Sequence, residues 1–245
     1  MKILQNIGEY FILMGRTFSQ PTKASLIRKQ ISFELNSLGL GSMGIITIIS
    51  AFMGAVITLQ TASNIDSALI PDYTVGFTAR QSMILEFSTT IIALILAGKV
   101  GSNIASEIGM MRVTEQIDAL EVMGINSLNY LVFPKFISML LYPFIISIAM
   151  FLGILGGMAA CVYGGFSTLE DYIVGIQTDF ETFHVVYAFI KTFSFAFLLA
   201  TIPSFHGFYM KGGALEVGKA STTSFVWTSV AIIVLNYFLT QMLLS

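Results

Sequence analysis

"MGIITIISAFMGAVITLQT", residues 43–61, runs nineteen residues without a charged side chain. As a helix it is about 28 Å long, close to the roughly 30 Å of a bilayer's hydrocarbon core, which takes about 20 residues to cross. The whole chain fits a lipid solvent. Of its 245 residues 55% are hydrophobic and 11% charged, against about 25% charged in soluble domains, and the mean hydropathy is +0.82. Four further stretches are of the same kind: Ser82–Gly98 with one acid, Glu86; Phe136–Tyr163 with no charge; Phe183–Phe205 with Lys191; and Thr222–Leu244 with none. The third is longer than a straight crossing needs, which predicts tilt or a bend at Pro143.

The basic residues orient these five spans. Lys2, Arg16, Lys23, Arg28 and Lys29 precede the first; Lys99, Arg112 and Lys135 lie between the second and third; Lys211 and Lys219 lie between the fourth and fifth. The other two connections hold Asp66, Asp72, Glu170, Asp171, Asp179 and Glu181 but one base, Arg80. Basic loops face the cytoplasm, which predicts a cytoplasmic N-terminus and, with an odd number of spans, a periplasmic C-terminus.

Residues 1–38 are too polar to span. Ile3, Ile7, Phe11, Met14 and Phe18 form one apolar stripe that Pro21 ends, and a second piece, Thr22–Leu38, sets Lys23, Arg28 and Lys29 among Leu26, Ile27, Ile31 and Leu35. This predicts two amphipathic helices lying in the cytoplasmic interface, with a soluble helix pair as the alternative. Gln5, Asn6 and Glu9 break the first apolar run, unlike a signal peptide. The net charge of −2 gives no reason to expect nucleic-acid binding. The lone Cys161 and the distant His184 and His206 suggest neither a disulfide nor a metal site.

"SEIGMMRVTEQIDALEVMG", residues 106–124, concentrates Glu107, Arg112, Glu115, Asp118 and Glu121 between the second and third spans. Met110, Val113, Ile117 and Leu120 recur at helical spacing, predicting an amphipathic helix of about three turns bracketed by Gly109 and Gly124. Four acids and one base are repelled by an anionic leaflet, so a protein partner suits this helix better than lipid headgroups do.

Residues 97–135, "AGKVGSNIASEIGMMRVTEQIDALEVMGINSLNYLVFPK", resemble the signature of the MlaE/YrbE family of ABC-transporter permeases. "FMGAVITLQ" at 52–60 and "FIKTFSFAF" at 189–197 resemble that family's first and fourth spans. The resemblance implies one permease domain over 1–245, with interfacial helices over 1–38 and a five-span bundle over 39–245. It implies two copies enclosing a lipid-sized cavity lined by spans 1, 2 and 5, where Val56, Leu59 and Gln60 are the candidates from span 1. The 106–124 helix becomes a coupling helix, with Glu107, Arg112, Glu115, Gln116 and Asp118 against a separate cytoplasmic ATPase that holds the ATP and magnesium. A periplasmic MCE protein would exchange lipid with the pair, and a small cytoplasmic regulator is a further partner the resemblance allows. The implied location is a bacterial inner membrane. Where some members carry an arginine before the span-2 acid this chain has Leu85, and where some carry an acid in the last span it has Asn236.

"GALEVGKA", residues 213–220, imitates a phosphate-binding loop but has Ala220 where magnesium needs Ser or Thr, and lies between two spans. ATP is therefore expected on another polypeptide and no cofactor or metal on this one. Glu86 and Lys191 are ionisable residues inside spans and so are functional candidates; facing each other, a wet cavity or a polar ligand would relieve their burial. A purely structural ion pair is the alternative, as is an ion-coupled secondary transporter or channel that uses the two as a charge relay. By the resemblance both belong to the lipid cavity, where Lys191 suits an anionic headgroup. Gly153-x-x-x-Gly157 predicts close helix packing within one copy. No pair of His, Ser–Lys or Asp residues stands at helical spacing in the spans, which leaves intramembrane catalysis without candidates.

Overall fold

The computed structural model describes residues 2–19, 24–65 and 71–244, with the backbone alone for 2–4, 24 and 25. Pro21, Thr22, Lys23 and Asp66 lie outside the described residues, as do the side chains of Lys2 and Ile3.

Every regular element among the described residues is helical. Helix α1 is Lys2–Phe18 and α2 is Ala24–Glu34; a π-helical stretch, Leu35–Gly39, and a 3-10 turn, Leu40–Ser42, lead into α3, Met43–Asn64. α4 (Tyr73–Ser82) continues through π-helical Met83–Ile91, α5 (Ile92–Leu96) and π-helical Ala97–Gly101 into α6 (Ser102–Val113). Then follow α7 (Gln116–Val122), α8 (Ser127–Met139), α9 (Tyr142–Gly164), α10 (Leu169–Gln177), α11 (Thr182–Phe208) and α12 (Ala214–Leu244). Among the described residues, five helical runs are long and apolar enough to cross a membrane: Leu26–Asn64, Tyr73–Val113, Ser127–Gly164, Thr182–Phe208 and Ala214–Leu244. The third run breaks at Leu140–Leu141, just before Pro143. The proline ring cannot continue a preceding helix but fits the first turn of α9.

The residues fall into two compact units. The first comprises Met1–Ser42, Leu94–Tyr142 and Phe193–Phe238. In it Leu13 and Met14 of α1 bury against Leu128, Val132 and Phe205. The Tyr10 hydroxyl is 2.7 Å from Thr201 Oγ1, and Asn129 Nδ2 donates to the Thr17 carbonyl at 2.7 Å. Burial pushes the Tyr10 phenol above its ordinary range, against a smaller lowering by its hydrogen bond, and keeps it neutral. The packed face of α1 is therefore Tyr10, Leu13, Met14 and Thr17. Among the described side chains of the stripe read from the sequence, Met14 alone is buried, while Ile7, Phe11 and Phe18 are exposed. Helix α1 has two apolar faces, and the one with hydroxyls to satisfy meets protein.

The second unit comprises Met43–Ala93, Pro143–Thr192 and Leu239–Ser245. Here glycines let α9 and α3 touch backbone to backbone. A methyl group on Gly54 would run into the Gly153 backbone, and one on Gly156 into that of Ala51. The Gly153–Gly157 stripe thus packs within one chain, as its spacing predicted. α10 lies on α4 in the same way, Gly76 against the Tyr172 backbone and Gly175 against the Tyr73 carbonyl. Buried Arg80 ties the two helices together by donating to the carbonyls of Ile176, Thr178 and Asp179 at 2.7, 2.8 and 3.2 Å. Gly54→Leu is expected to destabilise by about 1–3 kcal/mol or more, because backbone cannot yield as a side chain does. Thermal unfolding in mild detergent measures it against Gly15→Ala, whose added methyl meets nothing within 4 Å. Equal melting of the two variants would refute the close approach.

Candidate functional site

Glu86 lies in the π-helical stretch of the second span, a kind of distortion frequent at functional sites. Its Oε1 is 2.8 Å from Lys191 Nζ on α11. Lys191 is fully buried, and its ammonium also donates to the Leu85 carbonyl at 2.8 Å and to the Tyr187 hydroxyl at 3.1 Å. Three acceptors occupy its three protons. The glutamate receives Thr90 Oγ1 on Oε2 at 3.0 Å and Thr240 Oγ1 on Oε1 at 3.4 Å, and Tyr187 and Thr240 are 2.8 Å apart. The Glu86 side chain is nevertheless 40% exposed. In this conformation the carboxylate, not the ammonium, faces outward, so an anionic headgroup reaches Lys191 only after the pair opens. Thr90 and Tyr187 escaped the sequence reading, although each stands four residues from its charged partner, one helical turn away.

Val56, Leu59 and Gln60 lie on the exposed face of α3 and make no hydrogen bond to this pair among the described residues. Asn236 is half-buried on α12.

The 106–124 segment is not one helix. α6 ends at Val113, Glu115 takes a left-handed conformation (φ 60°), and the seven residues of α7 follow. Gly109 is interior to α6 and begins nothing, whereas Gly124 (φ 74°) does end α7. The sequence misled because the apolar spacing runs through the break, and glutamate is an unusual residue for a left-handed position. Ile117 is fully buried, anchoring α7, while Glu115, Gln116, Asp118 and Glu121 are exposed beside Val122 (89%) and Met123 (65%). Arg112 pairs with Asp118 at 2.8 Å and lies 5.9 Å from the Phe208 ring centre. The result is an exposed acidic tip with an apolar end. Val122 and Met123 were missed because they fall off the helical stripe.

Glu107 stands apart from that tip. It lies in α6, 2.6 Å from Lys135 Nζ of α8, and Lys135 also pairs with Glu34 of α2 at 2.5 Å. Lys135 and Glu34 are each 1% exposed, Glu107 34%.

Among the described residues, five membrane-length helices, with a charged pair within them and an exposed tip between the second and third, mark a polytopic membrane protein. The family model described as Permease MlaE matches residues 31–242, and the chain belongs to that family. A probable ABC transporter permease protein of Rickettsia bellii is 31% identical over 247 residues, covering 99% of this chain and 93% of its own. One of Synechocystis sp. is 31% identical over 242 residues, covering 98% and 91%. The chloroplastic protein Trigalactosyldiacylglycerol 1 of Arabidopsis thaliana is 26% identical over 233 residues, 94% of this chain and 66% of its own.

Proposed function

We propose that this chain is the membrane subunit of an ABC transporter that moves phospholipid or a related lipid between a bacterial inner membrane and a periplasmic MCE-domain protein. ATP and magnesium bind a separate cytoplasmic ATPase. Its docking surface is the tip formed by Arg112, Glu115, Gln116 and Asp118, completed by Val122 and Met123. That exposed acidic tip, on a chain of the permease family, is the observation that carries the reading. Two copies pair around a cavity to which α3 contributes Val56, Leu59 and Gln60, the pair contributes Glu86, and α12 contributes Asn236. Glu107 acts on the tip indirectly, by holding α6 to α8.

Three things support the finer parts. The Arabidopsis relative is named for a glycolipid, which agrees with lipid cargo. The distribution of basic residues supports a cytoplasmic tip. The exposed Ile7, Phe11 and Phe18 of α1 suit an interfacial helix whose other face holds the bundle.

Charge reversal at Glu115 and Asp118 is expected to abolish co-purification of the ATPase and ATP-driven transfer of labelled phospholipid from proteoliposomes, while size exclusion shows an unchanged assembly of this chain. Retention of the ATPase by the doubly reversed variant would sink the assignment. Lipid transfer by the chain alone, driven by an ion gradient, would establish instead a secondary transporter that uses Glu86 and Lys191.

A further inference from the structure

The groove bounded by α1, α11 and α12 in the first unit changes character along its length. One end is a polar cavity of about 500 Å³ bordered by Glu9 of α1, His206 of α11, Lys211, and Glu216 and Lys219 of α12. Adjoining it is an apolar groove of about 400 Å³ walled by Ile7 and Tyr10, Leu198 and Ile202, and Trp227 and Val234. Asn6, Phe205 and His206 border both. Each volume lies within the roughly 300–1,000 Å³ of small-molecule sites.

Along α11 the lining passes from His206 to Ile202 and Leu198, and along α12 from Lys219 to Val234, while α1 offers Gln5 and Glu9 to the polar cavity and Ile7 and Tyr10 to the apolar groove. On α12, Lys219, Thr223, Trp227, Val230 and Val234 recur every three or four residues on one face. The part from Thr223 to Val234 is about 16 Å long, close to half the roughly 30 Å hydrocarbon thickness and hence to one leaflet. A polar cavity continued by an apolar channel of that depth is shaped for a single amphipathic molecule.

The charges narrow the choice. Lys219 is neutralised by Glu216 at 2.6 Å. Glu9 receives only the amide of Gln5, at 3.0 Å, and so has no cation beside it among the described residues. Lys211 is exposed and makes neither hydrogen bond nor ion pair among the described residues. Among the described residues the cavity thus presents one unneutralised carboxylate and one unneutralised ammonium. A headgroup that carries both charges matches it better than an anionic one, which would meet Glu9 unfavourably. A primary amine can donate hydrogen bonds to Glu9, whereas a quaternary one has no proton to give.

We propose that this groove binds a zwitterionic phospholipid with a primary-amine headgroup. Its phosphate is at Lys211, its ammonium at Glu9, and one acyl chain lies along Ile202, Trp227 and Val234. None of its lining residues is among those assigned above to the transport cavity, and all come from one copy of the chain.

Trp227 is the chain's single tryptophan and is 52% exposed on the groove wall, so its fluorescence reports occupancy. The test uses the full chain in nonionic detergent, titrated with chain-brominated phosphatidylethanolamine, phosphatidylcholine or phosphatidylglycerol as quenchers. Phosphatidylethanolamine is expected to quench at the lowest mole fraction. Glu9→Gln should reduce its advantage over phosphatidylcholine about threefold, the factor a partly exposed charge contact leaves after screening. Lys211→Gln should weaken all three lipids. Both side chains are at the surface, and unchanged thermal unfolding of the variants serves as the folding control. Equal quenching by all three headgroups, unaffected by either substitution, would reduce the groove to bulk lipid contact and overturn the proposal. A preference for phosphatidylglycerol would overturn it in favour of an anionic site. Loss of quenching once the chain is purified with partner proteins would assign the groove to a protein helix.

Discussion

Lys135→Met is expected to remove about 3–5 kcal/mol of stability, the loss typical when one partner of a buried ion pair is deleted. Against a total of about 5–15 kcal/mol for a folded domain, that should leave little of the protein in its native form after extraction in detergent. Two carboxylates share this single ammonium, and Glu34 and Lys135 are each 1% exposed. One oxygen of Glu34 already lacks any hydrogen-bond partner among the described residues, so without Lys135 the buried carboxylate keeps only the Gln30 amide, 3.3 Å from its other oxygen, and no counter-charge among the described residues to offset its lost hydration. Glu107, 34% exposed, can turn partly to solvent and should contribute less. Unfolding midpoints in mixed micelles measure the loss. Lys135→Met combined with Glu34→Gln and Glu107→Gln removes every charge and should recover most of the stability. A triple variant as unstable as the single one would show that the lysine acts through packing of its stem rather than through charge.

The same cluster separates structure from coupling. Glu107→Gln should weaken ATPase binding only in proportion to the stability it loses. Charge reversal at Glu115 and Asp118, both exposed, should release the ATPase without such a loss. Ion pairs that join residues 28 and 101 positions apart leave no trace in local spacing, which is why the family resemblance offered Glu107 as an ATPase contact, Lys135 counted only as a loop charge and Glu34 did not stand out.

What was legible in the sequence was what depends on length and composition. Five apolar runs of membrane length became five helical runs, because nothing but a helix satisfies so much backbone without water short of a closed barrel. Pro143 marked a real break because its ring acts on its own helix. The legible part ends where a choice between faces decides. α1 has two apolar faces, and which one meets protein depends on Leu128, Val132, Thr201 and Phe205, all more than a hundred residues away. α6 and α7 share one apolar spacing, yet the chain breaks at Glu115 so that Ile117 can bury. In the spans, Glu86 and Lys191 stood out by rarity alone, while Tyr187, Thr90 and Thr240 look like any other residues of a polar helix face.

Glu86→Gln is expected to destabilise more than Lys191→Met, although the two remove opposite halves of one pair. After Lys191→Met the surviving carboxylate, 40% exposed, can recruit water. After Glu86→Gln the surviving ammonium is fully buried and keeps the Leu85 carbonyl and the Tyr187 hydroxyl but no counter-charge. A buried pair broken from its less accessible side approaches the upper part of the range of about 3–5 kcal/mol, whereas the other side should be discounted toward about 1 kcal/mol for screening. The double variant should recover much of the stability, since no isolated charge remains. Transport separates the two readings of the pair. A structural pair predicts that ATP-driven lipid transfer returns along with stability in Lys191→Met/Glu86→Gln. A carboxylate that touches the cargo predicts a stable double variant that transfers little lipid, while Lys191→Met alone, which leaves Glu86 in place, keeps more activity than its partner variant. Equal transfer by both single variants at equal folded yield would take Glu86 out of the cargo path.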